Sequence, residues 1–235
     1  ASNTSGGSSG SPVLNATGEV IGLNAGGKRG AASSFYLPLD RVTRALSAVQ
    51  AGQVPTRGTL QAVHNHQPFD EIMRLGTAKE TVAAFRKANT EAIGMLVVSE
   101  VVPNGPAADK LRPGDVLVKI DGSWLTDFVA LETVLDERVG ETTVITVDRA
   151  GTAIDVSLSV QDLHSITPDE YLAFGRAVLN PLSYQQARNH KLPVQGVYVA
   201  VPGYSLATAS IPKGAILTHV DGIPTPTLDA VQEQL

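Results

Sequence analysis

Cysteine is missing altogether from these 235 residues. That excludes disulfides, thiolate metal sites and cysteine nucleophiles, and it leaves the redox compartment open. Blocks of like charge are also missing. With a formal net charge of −5 and a pI near 5.5, the chain has no basic footprint, so a nucleic-acid partner is not expected. No apolar run approaches the roughly 18 residues needed to span a bilayer, and no charged-then-apolar signal opens the chain, so no membrane partner is expected either. What is present is ample core-forming material. At 43% hydrophobic residues, the length suits one large or two small domains. The opening residues read like the middle of a domain, which suggests a fragment whose true N-terminus, with any targeting signal, lies upstream.

Near the start stands Gly6-Gly7-Ser8-Ser9-Gly10-Ser11-Pro12-Val13. A Gly/Ser run of this kind is usually a linker. Here it leads at once into Pro12-Val13-Leu14, the turn Asn15-Ala16-Thr17-Gly18 and the apolar run Val20-Ile21-Gly22-Leu23, the pattern of a β-hairpin. Ala25-Gly26-Gly27-Lys28-Arg29-Gly30 reads as a glycine-rich loop and residues 33–38 as a strand. Leu39, Val42, Leu46 and Val49 then fall at helical spacing up to Ala51-Gly52. Residues 53–58 read as a boundary.

Beyond it the expectation is a strand over 59–64, a helix from Pro68, a second helix through 82–85, and a strand over 95–102. A turn–strand–turn follows at 111–122, then an amphipathic helix over 127–135 stopped by Gly140, and a hairpin of strands 142–149 and 153–160. Thr167-Pro168-Asp169-Glu170 has the chemistry of a helix start, with a threonine cap, proline in the first turn and a capping-box glutamate.

An internal repeat organises the last third. Residues 211–222 lie over 111–122 without a gap, sharing an Asp-Gly pair, and Leu228, Val231 and Leu235 continue the register of Phe128, Leu131 and Leu135. A duplicated module follows from this.

A serine hydroxyl becomes a nucleophile only with a base to take its proton and donors for the oxyanion. Ser9 is the candidate, with the amides of Gly7 and Ser9 as the donors. An α/β-hydrolase elbow is excluded, because Ser11 occupies the final glycine position and a strand, not a helix, follows. No His or Asp precedes Ser9, and His64, His66, His164, His190 and His219 all fall in segments assigned elsewhere. Taken alone, the chain is expected to be inactive as a hydrolase. His64 and His66 share a strand face but lack a third ligand, so no metal and no cofactor is expected. Trp124 and Phe128 read either as groove-lining or as core.

Gly7-Ser8-Ser9-Gly10-Ser11-Pro12, the following Gly18-Glu19-Val20-Ile21-Gly22-Leu23-Asn24, and Arg112-Pro113-Gly114-Asp115-Val116-Leu117 with Asp121-Gly122 resemble the trypsin-like HtrA/Deg serine proteases that carry PDZ domains. The likeness is greatest to the branch with fungal nuclear and plant plastid members. It implies a mixed fold: the C-terminal part of an all-β trypsin-like barrel with its terminal helix (1–52), an α+β PDZ domain (53–160), and a truncated PDZ-like domain (161–235).

By the same resemblance Ser9 is the acyl-enzyme nucleophile, Gly7 supplies an oxyanion-hole amide, and Leu23, Asn24 and Ala25 line the substrate channel. Arg57, Gly58, Thr59, Leu60 and Gln61 would form a carboxylate-binding loop, with Phe128 and Leu131 on the helix across the groove. The partners implied are unfolded or C-terminal peptide segments, with a homo-oligomer open. The compartment implied is the nucleus, with plastid or periplasm as alternatives. The competing expectation is a peptide-binding scaffold built on a non-catalytic protease domain.

Overall fold

The computed structural model describes residues 7–28 and 33–235. The first element group is a three-stranded antiparallel sheet, β1 (Pro12–Leu14), β2 (Val20–Lys28) and β3 (Ser33–Pro38), followed by helix α1 (Leu39–Gln50). This sheet does not close into a barrel. Asn15 accepts hydrogen bonds from the amides of Thr17 and Glu19, which shapes the hairpin turn that Gly18 completes at φ +83°. The glycine-rich stretch expected as a loop is instead the end of β2 through Lys28, because Gly26, Gly27 and Lys28 pair with β3 after a bulge at Ala25. Gly6, Arg29 and Gly30 lie outside the described residues.

The second group holds β4 (Gly58–Thr59), β5 (Ala62–Pro68), α2 (Phe69–Arg74), α3 (Lys79–Ala88), β6 (Gly94–Val101), β7 (Val116–Ile120), β8 (Ser123–Trp124), α4 (Phe128–Glu137), β9 (Thr142–Arg149), β10 (Thr152–Ser159) and β11 (Gln161–Asp162). Its main sheet runs β10-β9-β7-β6-β5, so β5 is an edge. The expected strand over 59–64 is broken in two. Gln61 sits at φ +53°, and β4 departs to pair with β11 while β5 pairs with β6.

Alternation along β6 divides the interior. Leu96 and Val98 join Leu60, Leu131, Leu135, Ile145 and Leu158 under α4, whereas Met95 and Val97 join Ile72, Phe85 and Val118 under α2 and α3. Burying each such side chain contributes roughly 1.5–3 kcal/mol. Trp124 belongs to the second cluster, edge-on to Phe85 at 5.8 Å, so of the two aromatic candidates it is core. Asp115, 1% exposed, receives a fork from Arg149 at 2.7 and 2.8 Å and the Arg112 amide at 2.8 Å. These contacts pin the turn that launches β7.

The third group holds β12 (Leu172–Phe174), β13 (Ala177–Pro181), α5 (Tyr184–His190), β14 (Val197–Val201), α6 (Gly203–Thr208), β15 (Ile216–Leu217), β16 (His219–Val220), β17 (Ile223–Pro224) and α7 (Leu228–Gln232). The repeat is geometric as well as sequential. Gly114 and Gly214 have φ of +94° and +91°, Asp121 and Asp221 of +47° and +49°, and Thr227 caps α7 as Asp127 caps α4.

The helix expected from Thr167 does not form. One 3-10 turn, His164–Ile166, ends there, residues 168–171 are irregular, and Leu172 begins a strand. A capping box secures an N-terminus only when the following residues gain more as helix. Here Leu172 and Phe174 are apolar at a spacing of two and pack onto the core of Leu179, Val197, Val199, Leu228 and Val231.

Candidate peptide groove and serine loop

The serine loop is built from local bonds. Gly7 and Gly10 adopt φ of +94° and +82° with open space where a Cβ would stand, so glycine is required by backbone conformation, not by crowding. The Gly10 amide donates to Asn24 O at 2.7 Å and the Asn24 amide to Ser11 O at 2.9 Å. The carboxamide of Asn24 then donates to Ser8 O at 3.0 Å and Ser8 Oγ at 2.9 Å.

Asn24, 5% exposed, thus acts as the brace of the loop, a role its sequence position did not reveal. Ser9 is exposed at its crest. Leu23 is half-buried in the central strand and Ala25 is exposed at the bulge. No histidine in the described residues bonds to Ser9: His164 contacts Pro55 O, His219 contacts Thr218, and His64 and His66 lie within β5.

The candidate peptide groove lies between the free edge of β5 and helix α4. At its head stands the loop 57–61. The Gly58 amide donates to Asp136 Oδ1 at 2.9 Å, Thr56 Oγ1 donates to the Asp136 carbonyl at 2.7 Å, and Thr59 Oγ1 accepts the Gln61 amide at 3.0 Å. Gln61 Nε2 donates to Gln161 Oε1 at 2.6 Å, and Leu60 is buried against Leu131. Gly58 permits this packing, because a Cβ there would stand 2.0 Å from the Leu135 carbonyl oxygen.

Asp136 is the hub. Its Oδ2 lies 3.3 Å from Arg57, 3.5 Å from Arg41 and 3.6 Å from Arg44, so three guanidiniums surround one carboxylate that is 7% exposed. Arg41 also pairs with Glu132, and Arg44 Nη1 donates to Thr133 O at 3.1 Å. Helix α1 is therefore anchored to the outer side of α4, next to the loop. Sequence patterning does not flag Asp136, since an acid at a helix C-terminus opposes the helix dipole and reads as an unremarkable surface charge.

Leu131, expected to line the groove, is 2% exposed and part of the core beneath α4, whereas Phe128 is 41% exposed on its first turn. His64 and His66 face the α4 side, opposite Val98 and Leu96. Burial pushes His64 down to about 4, and its Nε2 has no hydrogen-bond partner. No cluster of three or more His, Cys, Asp or Glu side chains suited to a metal occurs among the described residues, and no helix there is long and apolar enough to cross a membrane. Tyr184 of the third group approaches Thr59. Burial raises its phenol above the ordinary value, against the opposing effects of Arg188 and the hydrogen bond to Thr59.

The second group thus combines a sheet edge at β5, helix α4 packed on the same core, and a left-handed residue, Gln61, just before the edge strand. Family profiles agree: residues 59–160 match "PDZ domain", 165–235 match "PDZ-like domain", and 1–65 match "Peptidase S46". Protease Do-like 7 of Arabidopsis thaliana is 51% identical over 232 residues, covering 94% of this chain and 21% of that protein. Pro-apoptotic serine protease NMA111 of Coccidioides immitis is 45% identical over 236 residues, covering 100% of this chain and 23% of that protein. Among solved structures, "HtrA-type protease AlgW with decapeptide" aligns over 64% of this chain and 44% of that one, at 23% identity and a TM-score of 0.41, a likeness too loose to argue from.

Over 94–100% of its length the chain is thus similar to parts of two proteins named as serine proteases, and it carries a PDZ and a PDZ-like segment. It spans 21% and 23% of those two curated relatives.

Proposed function

We propose that this chain carries the end of a trypsin-like serine endopeptidase domain (1–52), a PDZ unit that captures extended or C-terminal peptide segments (53–160), and a second PDZ-like unit (161–235). The observation that carries the reading is the juxtaposition of β5, unpaired on one side, with a loop whose geometry is locked by Asp136. A peptide chain adds beside β5. Main-chain hydrogen bonds supply affinity, the loop at Leu60 and Gln61 receives its carboxylate, and Phe128 contributes to the pocket. Ser9 is the nucleophile and the Gly7 and Ser9 amides are the oxyanion donors, while Leu23, Asn24 and Ala25 border the substrate path. Catalysis needs a histidine base and an orienting carboxylate from outside the residues in hand.

Capture is tested by titrating this chain with a fluorescent pentapeptide ending in a free carboxylate and with its C-terminal amide. Amidation weakens binding about tenfold or more if the loop reads the carboxylate. Equal affinities would remove the loop from the recognition site.

A further inference from the structure

The two PDZ-like units differ at the edge where a peptide would add. Ala177-Val178 and Asn180 lie over Ala62-Val63 and Asn65 at a constant spacing of 115 residues. Each strand is preceded by a left-handed residue, Arg176 at φ +65° and Gln61 at φ +53°. The Tyr204 amide donates to Gly175 O at 3.2 Å, as the Ala107 amide donates to Leu60 O at 3.2 Å. Strand β13 is thus the counterpart of β5, and residues 174–176 form the counterpart of the carboxylate loop. Whereas β5 pairs on one side only, β13 lies between β14 and β12, with Leu172 opposite Leu179 and Phe174 opposite Ala177.

The two turns differ at one position. Gly175 has φ +52°, so Gly175 and Arg176 are both left-handed and form the tight turn that folds a strand back on its neighbour. In the first unit Leu60 takes the glycine position, is buried in the core, and only Gln61 is left-handed, so β4 leaves to pair with β11.

We propose that the second unit carries a peptide-capture groove that is filled in cis by β12. A peptide whose carboxylate sits in the loop must run antiparallel to the strand that follows, and β12 does so, ending at the loop. Phe174 takes the place of a ligand's last residue and Leu172 that of the residue two earlier. Both pack on the cluster that includes Leu228 and Val231 of α7, the equivalent of α4. The groove therefore suits C-terminal segments ending apolar-x-aromatic, and such a ligand competes with the strap. The inference rests on reading these units as peptide-capture modules, and its test separates the two.

The probe is the peptide Glu-Tyr-Leu-Ala-Phe with a free carboxylate and a photo-crosslinkable phenylalanine analogue at its last position. Two versions of the whole chain are compared: unaltered and Leu172→Ser/Phe174→Ser. The expected result is crosslinking to β13 and α7 in the double variant at least about tenfold above the unaltered chain, since a closed groove lowers apparent affinity by its open fraction.

Equal crosslinking of the unaltered chain at β13 and α7, or no gain in the double variant, overturns the proposal. Crosslinks at β5 and α4 report on the first unit alone. Hydrogen exchange of the unaltered chain gives an arm independent of variant folding: slow exchange across 172–174 supports the strap, and exchange as fast as in the irregular residues 168–171 refutes it.

Discussion

Asp136 accepts the Gly58 amide at 2.9 Å, joining the last turn of helix α4 to the start of the loop at the head of the groove. Three arginines, Arg41 and Arg44 from α1 and Arg57 from the loop, meet on the other oxygen of the same carboxylate. Helix α4, the loop and helix α1 thus share one acceptor. Helices α1 and α4 are therefore held together by these contacts.

Removing that acceptor strands partly buried donors. Asp136→Ala is expected to destabilise the first unit by about 1–3 kcal/mol, the range for leaving hydrogen-bonding groups unsatisfied, since its guanidinium partners stay 21–32% exposed, with Asp136→Asn costing less because its carbonyl can still accept from Gly58. Urea unfolding measures the loss. A change below about 1 kcal/mol in the alanine variant would show that the arginines are adequately solvated without it.

Phe128 and Leu131 separate binding from folding. Phe128→Ala should weaken peptide capture while leaving the unfolding midpoint near its original value. Leu131→Ala should cost about 2–5 kcal/mol, and Leu131→Asp should unfold the unit, since the side chain is packed in the core. Peptide titration beside thermal unfolding distinguishes them, and an unaffected affinity in Phe128→Ala would move the pocket away from the start of α4.

His64 predicts an acid sensitivity. Its folded value near 4 lies below its ordinary 6.5, so below pH 6.5 the unfolded chain binds a proton that the folded chain refuses. The associated stability is complete above that pH and falls as pH drops toward 4, by up to roughly 3 kcal/mol. Unfolding midpoints between pH 7.5 and 4.5, compared with His64→Phe, isolate the contribution. An identical slope in the variant would assign the loss to carboxylates instead.

The serine loop yields a paired prediction. A longer form of the protein supplying a histidine and a carboxylate should react with a fluorophosphonate probe at Ser9, and Ser9→Ala should abolish that labelling. Asn24→Ala should lower the labelling rate without abolishing it, by releasing Ser8. Labelling that persists in Ser9→Ala would place the nucleophile elsewhere, and none in either form would favour a non-catalytic scaffold.

Local patterning was legible where one short segment satisfies itself. The hairpin at Asn15, helix α1, the β9/β10 hairpin with its Ala150-Gly151 turn, and the Asp-Gly repeat all follow from periodicity and turn chemistry that need no distant partner. The glycine-rich end of β2 runs against its local pattern, because partners on β3 override the glycines' weak strand preference. The Thr167 capping box failed for a related reason: an N-terminal signal cannot outweigh burial of Leu172 and Phe174 in a sheet.

By itself, the order of residues determined that this chain has a serine loop, a following helix and a duplicated strand–turn–helix module, since each is written in neighbours a few positions apart. Tertiary structure alone decided that Asp136 gathers donors from positions as distant as Arg41, that Leu131 is core while Phe128 is exposed, and that β5 has an open edge while β13 does not. Those outcomes depend on which strand edge finds a partner and which charge loses its water, and both are settled only when remote segments compete for the same space.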